Sequence, residues 1–174
     1  SFLKNSSYFF ISSIVTSGLG FITIPFYTRF LTPSDFGLLA LFLLFGNVVV
    51  NIFSFGSMSS SYRFYFELDK DDFKIFNSTN ILFNIFIFII VGIVVRLYSD
   101  LISDILFKGK ISPNILFLSY LSGCMNYLIQ FNLNLLSAEL KSKKFAFFSI
   151  LKVMLDTFFS FYFIIFFALT YIAR

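Results

Sequence analysis

The stretch Ile75-Phe-Asn-Ser-Thr-Asn-Ile-Leu-Phe-Asn-Ile-Phe-Ile-Phe-Ile-Ile-Val-Gly-Ile-Val-Val-Arg-Leu-Tyr98 decides the fold of this chain. Its one charge, Arg96, lies close to an end. Crossing the hydrocarbon core of a bilayer takes about 20 predominantly apolar residues in a helix. Within lipid a helix is also one of the two structures that satisfy every backbone N–H and C=O internally. The stretch therefore reads as a transmembrane helix.

Four more windows of this kind flank it, at about 8–30, 36–66, 113–139 and 145–172. The expected fold is all-α, a polytopic membrane helix bundle of about five transmembrane helices occupying 1–174. The first window follows Lys4, as a cleaved leader would, but its apolar character continues through Phe21 and Ile24 to Phe26 and marks a span. Thr32-Pro33-Ser34-Asp35 is a helix start: Thr32 caps, Pro33 suits the first helical position, and Asp35 stands where a capping-box acid belongs. The turn between the first two helices is thus a few residues long. Leu68 to Lys74 and Lys141 to Lys144 read as solvated loops. Ser99 to Ser112 is a longer link whose apolar stripe, Leu101, Ile102, Ile105, Leu106 and Phe107, suits the membrane interface.

Composition agrees. Hydrophobic residues make up 58% of the chain and charged residues 13%, against roughly 25% charged in a soluble domain. The net charge of +4 is carried mainly between apolar spans, so it reports topology rather than nucleic acid. With no His, a His-ligated metal and a His base are excluded, and the lone Cys124 has no partner for a disulfide. No phosphate-cradling glycine loop, zinc spacing or paired loop carboxylates is present. The expectation is a protein that is not an enzyme and uses no metal or cofactor. With the N-terminus inside, eight of the 13 basic residues fall on the cytoplasmic side and five on the other, which by the positive-inside rule favours that orientation. The chain begins at Ser1 and ends at Arg174 directly after an apolar run, which reads as a fragment of a longer protein.

Polar residues within spans usually face protein or water rather than lipid. The first helix carries Ser13, Ser17, Gly20 and Tyr27, with Thr16 and Thr23 beside them, and an internal Pro25 expected to kink it. The second has Asn47, Asn51, Ser54 and Ser61; the fourth has Gly123, Asn126, Gln130, Asn134 and Ser137. Small residues suit helix packing. The amides fit either bonding between helices or a hydrated lumen. Arg29 ends the first helix, where snorkelling to the interface is the plain reading. Arg63 and Glu67 stand four apart and can pair. Lys152 and Asp156 repeat that spacing, with Asp156 about 16 Å into the fifth window; they read either as a structural ion pair or as a cation- or proton-coupling site.

In chain order these residues resemble a known family. Gly20-Phe-Ile-Thr-Ile-Pro25-Phe-Tyr-Thr-Arg29-Phe-Leu-Thr-Pro33-Ser-Asp35-Phe-Gly37 is similar to the opening of Wzx-type polysaccharide and O-antigen flippases, of the multidrug/oligosaccharidyl-lipid/polysaccharide (MOP) exporter superfamily. Phe55-Gly56, Ser61-Tyr62-Arg63-Phe64-Tyr65-Phe66-Glu67 and the basic loop after Ala138-Glu139-Leu140 resemble later parts of the same pattern. The resemblance implies two pseudo-symmetric six-helix lobes, of which this chain supplies most of the first; the sixth helix and the C-terminal lobe would be missing. It implies flipping of undecaprenyl-diphosphate-linked oligosaccharide across the bacterial cytoplasmic (inner) membrane by alternating access, with membrane lipid and the missing lobe as partners. Arg29 would contact the diphosphate, as a cavity Arg does in a related peptidoglycan-precursor flippase, with Arg63 second. Asn47, Asn51, Asn126 and Gln130 would line the sugar path. Two readings compete: a cation-coupled multidrug antiporter with Asp156 as coupling acid, and a small membrane assembly protein that transports nothing.

Overall fold

The computed structural model describes the backbone of residues 2–30, 32–109 and 111–172. Among them the chain forms α-helices and no strand: α1 (Phe2–Phe30), α2 (Pro33–Phe53), α3 (Ser57–Glu67), α4 (Lys70–Leu97), α5 (Ser99–Phe107), α6 (Pro113–Ala138) and α7 (Ser142–Ile172). Among the described residues three stretches, Ser6–Pro25, Pro33–Phe53 and Lys70–Leu97, are long and apolar enough to cross a membrane. The fold is an all-α membrane helix bundle. α6 has the length of a span, but Asn114, Asn126, Gln130, Asn132 and Asn134 dilute its apolar character.

The single helix expected over 36–66 is corrected: it is two helices. α2 ends at Phe53, and Phe55 and Gly56 take left-handed backbone conformations, φ 49° and 71°. That conformation costs a residue with a Cβ roughly 1–2 kcal/mol, which Phe55 bears and Gly56 does not. Serine side chains take over part of the interrupted hydrogen bonding: Ser54 Oγ donates to the Asn51 carbonyl and Ser57 Oγ to that of Ser54, at 2.8 and 2.6 Å.

The link at 99–112 contains the helix α5. Its buried face is Ser99, Ser103 and Phe107, while Leu101, Ile105 and Leu106 are exposed. It stops at Lys108 and Gly109, both left-handed, where the N–H groups of both reach back to the Ser103 carbonyl, that of Gly109 at 3.2 Å.

Two compact units divide the chain: Leu38–Ala138, and Ser1–Gly37 with Glu139–Arg174. In the first, Val50, Phe88, Val91, Val95, Leu116, Tyr120 and Phe131 are central to the core. α2 and α6 touch backbone to backbone: a Cβ at Gly46 would overlap the Ser119 carbonyl, and one at Gly123 the backbone of Gly46. Phe42 accepts a bond from Ser119, and Asn47 one from Asn126, so the two helices run in the same sense. α4 runs opposite to α6, since Phe88 meets Tyr127 and Gly92 meets Tyr120. These alternating senses are what successive crossings of one membrane produce. In the second unit α1 packs on α7, with Phe9 and Phe145 rings 4.9 Å apart and the Lys143 ammonium over the Tyr8 ring.

Candidate functional site

Two of the expected substrate-path residues are brought together. Asn126 on α6 donates to Asn47 Oδ1 on α2 at 3.0 Å. Asn47 spends an N–H on the Leu43 carbonyl of its own helix, and Asn51 does the same with the Asn47 carbonyl, both at 2.8 Å. Of the two readings of these amides, bonding between helices is the one this pair makes. Asn51 and Gln130, one turn on from Asn47 and Asn126 respectively, are exposed on their helices. The α2–α6 crossing is therefore a close glycine contact followed, a turn away, by an amide–amide bond and further amides at the surface of the unit.

A second polar group joins α3 and α4, and its asparagines were not singled out from the sequence. Asn80 donates to Ser61 Oγ at 2.7 Å and to the Ser57 carbonyl at 3.0 Å, and Asn84, 1% exposed, donates to the Asn80 carbonyl at 2.7 Å. Asn77, Asn80 and Asn84 follow steps of three and four, the same spacing that marked the other stripes, so the signal was present within the most apolar window.

The cations differ in surroundings. Arg63 is held by Glu67 at 2.8 Å on exposed helix surface, and that hydrogen bond and charge raise its pKa, keeping the guanidinium protonated. Arg29, at the end of α1, is exposed and makes no hydrogen bond or ion pair with a described residue. Its charge remains open to an anion, whereas Arg63's is largely balanced. Asp156 is exposed and Lys152 half-buried, one turn apart on α7.

The serine and glycine stripe of the first helix is corrected in register. Among the described residues of α1 the buried polar ones are Ser12 and Thr23, each bonded to a carbonyl of its own helix, while Ser13, Ser17 and Gly20 are exposed. The Tyr27 side chain lies outside the described residues. Pro25 sits within α1, which continues to Phe30.

The family model described as polysaccharide biosynthesis protein matches residues 2–173. No curated protein and no solved structure matches the chain.

Proposed function

The chain belongs to the polysaccharide biosynthesis protein family, and from that premise we propose that it is part of a transporter that flips a lipid-linked oligosaccharide across the bacterial cytoplasmic membrane. The observation that carries this reading is the match over 2–173, which takes in all of the helices described. The substrate class follows from the chemistry of such a pathway: sugars assembled on an undecaprenyl diphosphate present a large polar anion that the hydrocarbon core rejects. A protein moving it must offer cations and hydrogen-bonding amides to the head, while the polyprenyl tail stays in lipid.

Arg29 is assigned to the diphosphate because, unlike that of Arg63, its charge is not answered by a neighbouring carboxylate among the described residues. Arg63 takes a lesser role, since binding an anion there means competing with Glu67. Asn51 and Gln130 are the amides placed to meet sugar hydroxyls, with Asn47 and Asn126 fixing the crossing behind them. Two lobes working by alternating access would let one face open as the other closes. The family match supports this reading over a multidrug antiporter. The proposed orientation, N-terminus cytoplasmic, rests on the eight-to-five division of basic residues.

The test is Arg29→Ala in the full-length protein. Surface polysaccharide should be lost at normal expression, and Arg63→Ala should lower it less. Unchanged polysaccharide in Arg29→Ala removes Arg29 from the mechanism.

A further inference from the structure

A groove of about 540 Å³ runs between α4 and α6. Its walls are aliphatic and aromatic, with Ile85, Ile89 and Ile93 on one side and Leu121, Met125 and Leu128 on the other. It exists because Gly92 has no side chain where the Tyr120 ring lies: a Cβ there would come within 3.1 Å of that ring. The Tyr120 hydroxyl is turned away into the core, donating to the Phe88 carbonyl at 2.6 Å, so the floor offers almost no polar surface. Such a channel gives water no partners, and within a membrane it is filled by hydrocarbon.

Its length and its end point to one kind of hydrocarbon. From Ile85 to Arg96 along α4 is eleven residues, about 16 Å, half of the roughly 30 Å hydrocarbon core. That is the depth of one leaflet. At the end the wall includes Arg96, next to the point where α4 gives way to α5. One guanidinium N–H reaches Ser99 Oγ at 3.4 Å. Asp100, one turn on, forms no ion pair with it. Arg96 therefore keeps donors for a phosphate, at the level where a lipid headgroup lies.

We propose that this groove is a site for one anionic glycerophospholipid, its acyl chain between α4 and α6 and its phosphate on Arg96. A bilayer phospholipid is favoured over a polyprenyl-diphosphate substrate because the groove spans a single leaflet, shorter than a long polyprenyl chain needs. The site is independent of the Arg29 reading.

Native mass spectrometry of the full-length protein, released gently from membranes, tests this. One tightly held phospholipid per chain is expected. On delipidated protein, phosphatidylglycerol vesicles should restore the adduct about fivefold better than phosphatidylcholine vesicles, the preference one basic residue gives at an anionic surface. Arg96→Gln should bring that ratio close to one, and Arg96→Lys should keep part of it. Leu121→Trp should remove the adduct with either lipid; Met125→Trp, at a more exposed wall position, serves if the first does not fold. Equal retention of the two lipids by the unmodified protein overturns the proposal. So does a polyprenyl-linked adduct sensitive to Leu121→Trp, or an absence of bound lipid, which would mean that other parts of the chain cover the groove.

Discussion

The two units of this chain are built from similar helices and held by different means. In Leu38–Ala138 the helices are cross-linked. Asn126 bonds to Asn47, Tyr120 to the Phe88 carbonyl, Asn80 to Ser61, and Ser119 to the Phe42 carbonyl, around glycines that bring α2 and α6 into backbone contact. In α1 the polar side chains Ser12, Thr16, Thr23 and Thr28 bond to carbonyls of their own helix. A Cβ at Gly18 or Gly20 would meet nothing within 4 Å. The difference teaches where small polar residues specify a structure. They do so where they reach across to a second helix, as Ser119 and Asn126 do, and elsewhere they bond to carbonyls of their own helix, as Ser12 and Thr23 do. In the pair α1 and α7 the contact between helices includes the Phe9 and Phe145 rings.

The largest effect should come from the glycine contact. Gly123→Leu or Gly46→Leu drives a side chain into backbone that cannot yield, at a cost of about 3 kcal/mol or more. Thermal unfolding of the full-length protein in detergent should drop steeply or folding should fail. Gly20→Ala, with open space around it, should stay within about 0.5 kcal/mol. Similar losses at Gly20 and Gly123 would dissolve the contrast between the units. Next in size is Asn80→Ala, which strips both bonds to α3 and takes the amide partner from the buried Ser61 hydroxyl, expected at about 1–2 kcal/mol. Smaller still is the amide pair. A double-mutant cycle of Asn47→Ala and Asn126→Ala should give a coupling of about 0.6 kcal/mol, the average for bonds between membrane helices. No coupling would make the 3.0 Å contact incidental. Thr23→Ala, whose hydroxyl serves its own helix, should be within about 0.5 kcal/mol of the unaltered protein.

What could be read from the sequence follows the same division between local and long-range causes. The start of α2 was legible because its chemistry lies within four residues: Asp35 accepts from Thr32 N–H and Oγ1 at 3.2 and 2.6 Å, and Thr32 Oγ1 accepts from the Asp35 N–H at 3.3 Å. The Arg63–Glu67 pair is local in the same way. The break at Ser54-Phe55-Gly56 was obscured because hydropathy continues through Phe53 and Phe55, while the left-handed backbone is visible only as a glycine and a run of serines. The helix in the 99–112 link was hidden for another reason. Leu101, Ile105 and Leu106 of its apolar stripe are exposed, and the face that packs on protein is Ser99, Ser103 and Phe107, where the Ser103 hydroxyl is satisfied by the Ile111 carbonyl, a partner outside the helix. The Asn47–Asn126 pairing needed the crossing of α2 and α6, which no spacing within one helix reveals. The open state of Arg29 against the answered charge of Arg63 likewise depended on structure.

Topology supplies a separate check. With the N-terminus cytoplasmic, reporter fusions at Lys70 and Lys143 should both read cytoplasmic; a periplasmic signal at both inverts the orientation.

The central claim is that a lipid-linked oligosaccharide crosses the membrane through the protein to which this chain belongs. The most direct measurement is the sidedness of that lipid in cells lacking the full-length gene, probed with a membrane-impermeant reagent that modifies only outward-facing sugars. The account predicts that the lipid-linked oligosaccharide is still made but stays protected, and that restoring the unaltered gene, and not the Arg29→Ala form, exposes it. Equal modification with and without the gene would contradict the account.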